Sequence, residues 1–116
     1  MANIIIYHNP RCSKSRQTLE ILNQHDADVE IIDYQKTPPN KAHVKAILKS
    51  LQLKPQDIMR KKEAEYKQAG LDDLSLSVDT QLDLLIAHPK VMERPIVVKG
   101  DKAVIGRPPE NVLALL

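Results

Sequence analysis

One short segment carries most of the chemistry in this chain: Tyr7-His8-Asn9-Pro10-Arg11-Cys12-Ser13-Lys14-Ser15-Arg16, which holds the single cysteine. The run Ile4-Ile5-Ile6 before it reads as a buried strand. Thr18-Leu19-Glu20-Ile21-Leu22 after it reads as the apolar side of a helix. Cys12 therefore falls in a strand-to-helix loop, where a helix N-terminus can face its sulfur. A free thiol titrates near about 8.5, and a helix N-terminus or nearby cations lower that value. His8, Arg11 and Arg16 are close in sequence, and the hydroxyls of Ser13 and Ser15 could donate to the sulfur. The other reading of a lone cysteine is a small buried hydrophobe. The flanks Arg11, Ser13 and Lys14 argue against deep apolar burial and favour a reactive thiolate.

The spacing limits what such a thiolate can do. Cys12-Ser13-Lys14-Ser15 has serine where a dithiol motif has its second cysteine, so no disulfide or adduct on Cys12 can be resolved within the chain. An outside thiol must do it. A tyrosine-phosphatase loop would need arginine at position 18, which is Thr18. With no second cysteine and no clustered histidine–carboxylate set, the sequence suggests no metal site. His8 could stabilise the thiolate or shuttle a proton, or could be a strand-end histidine bonded to backbone. Ser15 could bond to the sulfur or cap the helix. His25, His43 and His88 lie in polar or helix-end contexts and read as surface residues.

Five of the 17 basic residues are arginine: Arg11, Arg16, Arg60, Arg94 and Arg107. Arginine holds planar or tetrahedral oxyanions through paired hydrogen bonds better than lysine does. Arg60, Arg94 and Arg107 each stand beside a structural boundary, before Lys61-Lys62, Pro95 and Pro108-Pro109 respectively. Taken singly, each reads first as a surface ion pair; only convergence of all three on one site would make them an anion cradle. In a thioredoxin-like fold the loop before the third strand faces the N-terminal cysteine. A cis proline is common there, and Pro95 is placed for it.

The elements that would position these residues follow from apolar spacing and its interruptions. Strands are expected at Ile4–Tyr7, Val29–Asp33, Pro95–Lys99 and Lys102–Ile105, the last two joined by a two-residue turn at Gly100-Asp101. Helices are expected from Ser13 to about Asn23 with Leu19, Ile21 and Leu22 inward, and from Asn40 to about Leu51. Further helices should run from Lys54 to Met59, from about Ala64 to Ala69, from Ser77 to about His88, and from Pro109 to Leu116. The order is β-α-β, a helical block, a hairpin and a closing helix. That is an α/β, thioredoxin-like mixed four-stranded sheet with helices on both faces and a helical insertion between the second and third strands.

At 116 residues the chain is long enough for a single core, and one domain over residues 1–116 is expected. A net charge of +2 is too small to imply nucleic acid or a membrane surface, and the lack of Trp and Phe removes a stacking platform for single strands. No apolar run is long enough to span a bilayer. Met1-Ala2-Asn3 leads straight into a strand, so no signal peptide is expected and the cytoplasm is the expected compartment.

The chain resembles the glutaredoxin-linked arsenate reductase (ArsC) family along nearly its whole length. The resemblance is carried by Ile6 to Arg16, Thr37-Pro38-Pro39, Met59-Arg60-Lys61-Lys62, Glu93 to Val98 and Gly106-Arg107-Pro108-Pro109-Glu110. It implies a thioredoxin-like fold, Cys12 as nucleophile, Arg60, Arg94 and Arg107 on the oxyanion, and His8 and Ser15 tuning the thiolate. It also implies arsenate as substrate, with glutathione and glutaredoxin as external reductants and no bound cofactor. Ser13-Lys14 stand where the best-known members have Gly-Thr, as in a short Cys-Ser-Lys-Ser subgroup. Two other functions fit the same scaffold: a glutathione-linked thiol oxidoreductase, and an Spx-like regulator binding RNA polymerase. Spx-like relatives typically carry a Cys-x-x-Cys switch, and Ser15 in place of the second cysteine counts against that function.

Overall fold

A computed structural model describes residues 3–93 and 95–116. The chain divides into two compact units. The first comprises Met1–Thr37 with Arg94–Leu116, and the second is the insertion Pro38–Glu93.

The first unit is built on a four-stranded mixed sheet of order β2-β1-β3-β4, with β1 at Ile4–His8, β2 at Val29–Asp33, β3 at Ile96–Lys99 and β4 at Lys102–Ile105. β1 and β2 are parallel, in a register that sets Ile4 against Val29 and His8 against Asp33. β1 pairs antiparallel with β3, placing Ile6 opposite Val97, and β3 pairs antiparallel with β4. Gly100 turns the hairpin at φ +61°, the left-handed region that glycine enters without a Cβ penalty. Helix α1, Ser13–Gln24, links β1 to β2 as a parallel pair requires.

Alternation along the strands decides which side chains meet α1. Ile4, Ile6 and Val97 join Leu22 of α1 and Val112 and Leu115 of the C-terminal segment in one buried cluster, with Val29 and Val104 packed at its margin. Leu22 is fully buried as expected, whereas Leu19 and Ile21 are half-buried. The remainder of the buried face of α1 is polar: Ser15 and Thr18.

The last segment, Pro109–Leu115, is a 3-10 helix rather than the expected α-helix. Its buried residues explain the difference. Pro109, Val112 and Leu115 recur every third position, and the three-residue turn of a 3-10 helix aligns them on one face toward the core. Lys99 closes this end by donating from Nζ to the Leu115 carbonyl at 2.9 Å.

The inserted unit contains α2 at Lys41–Leu51, α3 at Ala64–Gln68 and α4 at Val78–Ala87. Asn40 caps α2 by accepting the His43 N–H at 2.8 Å, and Ser77 caps α4 by accepting that of Thr80 at 3.2 Å. Lys54-Pro55 opens a 3-10 turn, Pro55–Ile58, and a second one at Pro89–Val91 follows α4 where the sequence suggested only a stop. Met59 and Met92 form an isolated antiparallel bridge. It is flanked by Glu93 N–H to the Ile58 carbonyl at 2.7 Å and Arg60 N–H to the Val91 carbonyl at 2.6 Å. Among the described residues no helix is long and apolar enough to cross a membrane.

Candidate active site

The β1–α1 connection is short and tightly bonded. Cys12 is the N-cap of α1 with extended backbone, and its amide donates to the Asn9 carbonyl at 3.0 Å. Asn9 Oδ1 accepts the Arg11 N–H at 3.0 Å, so one buried side chain shapes the turn before the cysteine. The first intrahelical bond is Arg16 N–H to the Cys12 carbonyl, which leaves the amides of Ser13, Lys14 and Ser15 outside the helical ladder. Amides outside the helical ladder and the positive end of the helix dipole make this position favourable for an anion.

Cys12 is 9% exposed, more enclosed than its flanks suggest. Arg11, Ser13 and Lys14 all face solvent, while Cys12, Ser15, Thr18 and Leu22 turn inward at helical spacing. The enclosure is not apolar. The Arg107 guanidinium reaches in, with Nη2 donating to Cys12 Sγ at 3.8 Å.

Ser15 does not cap α1. Its hydroxyl oxygen lies 2.6 Å from His8 Nδ1 and accepts the Asn9 N–H at 3.0 Å. Both His8 and Ser15 are buried. Burial lowers the His8 pKa from its ordinary value; the Asp33 carboxylate opposes that shift and Arg16 adds to it. The imidazole is therefore neutral at physiological pH. In the tautomer protonated at Nε2, the Ser15 hydroxyl donates its one proton to His8 Nδ1. Arg16 is turned to the loop, its Nη1 donating to the Pro10 carbonyl at 3.0 Å.

A close backbone approach positions Arg107. Gly106 is buried, and a Cβ there would lie 2.5 Å from Thr18 Oγ1 and 2.7 Å from Pro95 Cγ. Gly106 N–H donates to the Pro95 carbonyl at 2.9 Å, and Thr18 Oγ1 donates to the Lys14 carbonyl at 2.8 Å and the Gly106 carbonyl at 3.5 Å. Thus Pro95, Gly106 and Thr18 tie the segment that leaves β4 toward Arg107 to the helix that Cys12 caps. The Arg107–Pro108 peptide bond is cis.

Of the residues singled out in the sequence, Cys12 and Arg107 come together, and His8 pairs with Ser15. Pro95 is buried against Gly106. Arg60 belongs to the inserted unit, where its Nη1 bonds to Glu63 Oε2 at 3.1 Å. Arg94 lies outside the described residues, and with it the peptide bond entering Pro95. Asn9, Thr18 and Gly106 carry roles that the sequence did not announce. His25 and His43 are exposed, and His88 is half-buried with Nδ1 3.3 Å from Glu65 Oε1. Among the described residues no three histidine, cysteine or acidic side chains are grouped to hold a metal ion.

The sequence pattern of the ArsC family matches residues 7–115. A protein of Escherichia coli K12 known as YfgD, itself uncharacterized, is 46% identical over 112 residues, covering 96% of this chain and 94% of that one. The arsenate reductase of Neisseria meningitidis serogroup B is 43% identical over 117 residues, covering all of both chains. Among solved structures, an arsenate reductase from Vibrio cholerae superposes with a TM-score of 0.93 at 42% identity, again over the whole of both chains.

Proposed function

The chain belongs to the ArsC family, and from that premise we propose that it is an arsenate reductase. In this reading Cys12 is the nucleophile, and the electrons come from glutathione and glutaredoxin. The observation that carries it is the Arg107 guanidinium 3.8 Å from Cys12 Sγ at the N-terminus of α1. Attack of a thiolate on an oxyanion brings two negative charges together. At about 4 Å their repulsion ranges from about 1 kcal/mol in bulk water to about 4 kcal/mol at an effective dielectric of 20. One guanidinium facing both charges offsets a term of that size and also favours the thiolate form of Cys12. The family resemblance would assign Arg60 and Arg94 to the oxyanion as well, and His8 bonded to Ser15 orders the loop around the thiolate.

The chemistry balances as follows. The Cys12 thiolate bonds to As(V), and one oxygen leaves as water without change of oxidation state. The thiol of glutathione then condenses on arsenic with loss of a second water. A glutaredoxin thiolate attacks the glutathione sulfur. The sulfur–arsenic bond breaks, its electron pair stays on arsenic, and As(V) becomes As(III), while the glutathione leaves as a mixed disulfide on glutaredoxin. Water displaces Cys12, and arsenite departs. The sum consumes arsenate, one glutathione and one glutaredoxin thiol, and yields arsenite, water and the mixed disulfide. Ser15 in the resolving-cysteine position supports external thiols, and such reductants are those of the cytoplasm.

Arsenite formation followed while one component at a time is omitted tests this reading. Product should require arsenate, glutathione and glutaredoxin together. Full turnover with a monothiol-free reductant alone would overturn the proposed electron route.

A further inference from the structure

The reductase reading leaves one feature of the Cys12 unit unused. A cleft of about 430 Å3 lies within it, lined by Asn9, Pro10, Arg11, Asp33, Gln35 and Lys36. That is within the size range of small-ligand sites, about 300–1,000 Å3.

One wall is the turn that carries the cysteine, because the Cys12 amide bonds to the Asn9 carbonyl and Asn9 Oδ1 accepts the Arg11 N–H. The other wall is the chain leaving β2. Asp33 folds that segment back: its carbonyl accepts the amides of Lys36 at 3.1 Å and Thr37 at 2.8 Å, and its carboxylate accepts that of Gln35 at 3.1 Å. Since His8 and Asp33 are partners in the parallel β1–β2 register, the two walls leave the sheet side by side.

The lining presents two cations, Arg11 and Lys36, one carboxylate, Asp33, and two side-chain amides, Asn9 and Gln35. An inorganic oxyanion would be repelled by Asp33 and would leave the amides unused. A zwitterionic peptide matches the set: carboxylates for the cations, an ammonium for the carboxylate, and peptide groups for the amides. We propose that this cleft binds the thiol cosubstrate as a zwitterionic peptide thiol of the glutathione type. Its carboxylates lie on Arg11 and Lys36, and its α-ammonium lies on Asp33. Arg11 is the chain neighbour of Cys12, so the cleft is built on the same turn that carries the sulfur. The assignment rests on the reading above in one respect, that an outside thiol serves Cys12.

The test is titration of the full chain with S-methylglutathione, followed by the backbone amide resonances. This probe has no free thiol, and no arsenate is present, so the outcome is independent of turnover. The expected result is saturable shifts concentrated in residues 9–12 and 33–37, with affinity weakened about tenfold or more in Lys36→Glu and in Asp33→Lys. Circular dichroism of both variants must match the parent, and Lys36→Arg should retain binding. Shifts confined to other segments, no saturable shifts, or unchanged affinity in folded Lys36→Glu would overturn the proposal. Saturable shifts from a protein that forms no arsenite would remove the reductase reading and leave the cleft assignment standing. Arsenite formation with Lys36→Glu binding unchanged would do the reverse.

Discussion

Arg107 and Cys12, 95 residues apart in sequence, meet at 3.8 Å between guanidinium Nη2 and thiol Sγ. The contact depends on two elements that the fold brings together. Strand β4 delivers Gly106-Arg107 past Thr18, and α1 starts at the residue after Cys12. A cation thus faces the one thiol from the far end of the chain, and the helix N-terminus faces it from its own side.

Replacing Arg107 by lysine keeps the charge and removes the planar, paired donors. Arg107→Lys should lower kcat/KM for arsenate by roughly 10- to 100-fold, corresponding to about 1.4–2.7 kcal/mol of transition-state stabilisation. Alkylation of Cys12 by iodoacetamide as a function of pH should shift to higher pH in Arg107→Ala. Steady-state rates and alkylation rates, with circular dichroism as the folding control, check both.

Gly106→Ala places a methyl group into Thr18 Oγ1 and Pro95 Cγ. The strain should cost about 1–3 kcal/mol of stability and displace Arg107 from the sulfur. Combining it with Thr18→Ala should recover part of both losses, because one of the two collisions is removed. Urea unfolding midpoints and turnover of the single and double variants measure the coupling.

Ser15→Ala removes the acceptor of the buried Asn9 amide and the partner of His8. Leaving that donor unpaired should cost about 1–3 kcal/mol, read as a lower thermal midpoint. The cost should exceed that of Ser13→Ala, whose side chain is exposed.

The His8 pKa is lowered in the folded state, chiefly by burial. Above its ordinary value of about 6.5, folded and unfolded chains both hold the imidazole neutral, and its share of stability is complete. As pH falls below that value the unfolded chain takes up the proton first, so stability drops between the unfolded and the lowered folded pKa. Urea midpoints should therefore hold level from pH 8 to about 7 and decline from there toward 5, and His8→Gln should flatten that decline.

Much of the arrangement is legible in the order of the residues. The run Ile4-Ile5-Ile6 before Arg11-Cys12-Ser13 placed the cysteine at a helix start, and the β-α-β order with a late hairpin implied the sheet. Other features were hidden for identifiable reasons. The buried face of α1 is Cys12-Ser15-Thr18-Leu22, mostly polar at its N-terminal end, so hydrophobic periodicity pointed instead to Leu19 and Ile21. Sulfur bonding and helix capping both fit Ser15 in the sequence, whereas its bond to His8 runs to the end of the preceding strand, which local spacing does not reveal. The 3-10 geometry of Pro109–Leu115 was written in the three-residue spacing of its buried side chains, which an α-helical template passes over. The clash that reserves position 106 for glycine exists only after Thr18 and Pro95 are brought against it.

The most direct test of the account is arsenate-dependent NADPH oxidation coupled through glutathione, glutaredoxin and glutathione reductase, comparing the parent chain with Cys12→Ser. The account predicts arsenate-dependent turnover in the parent and its loss in a Cys12→Ser protein that remains folded. Undiminished turnover in that variant, or none in the folded parent with several glutaredoxins, would contradict it.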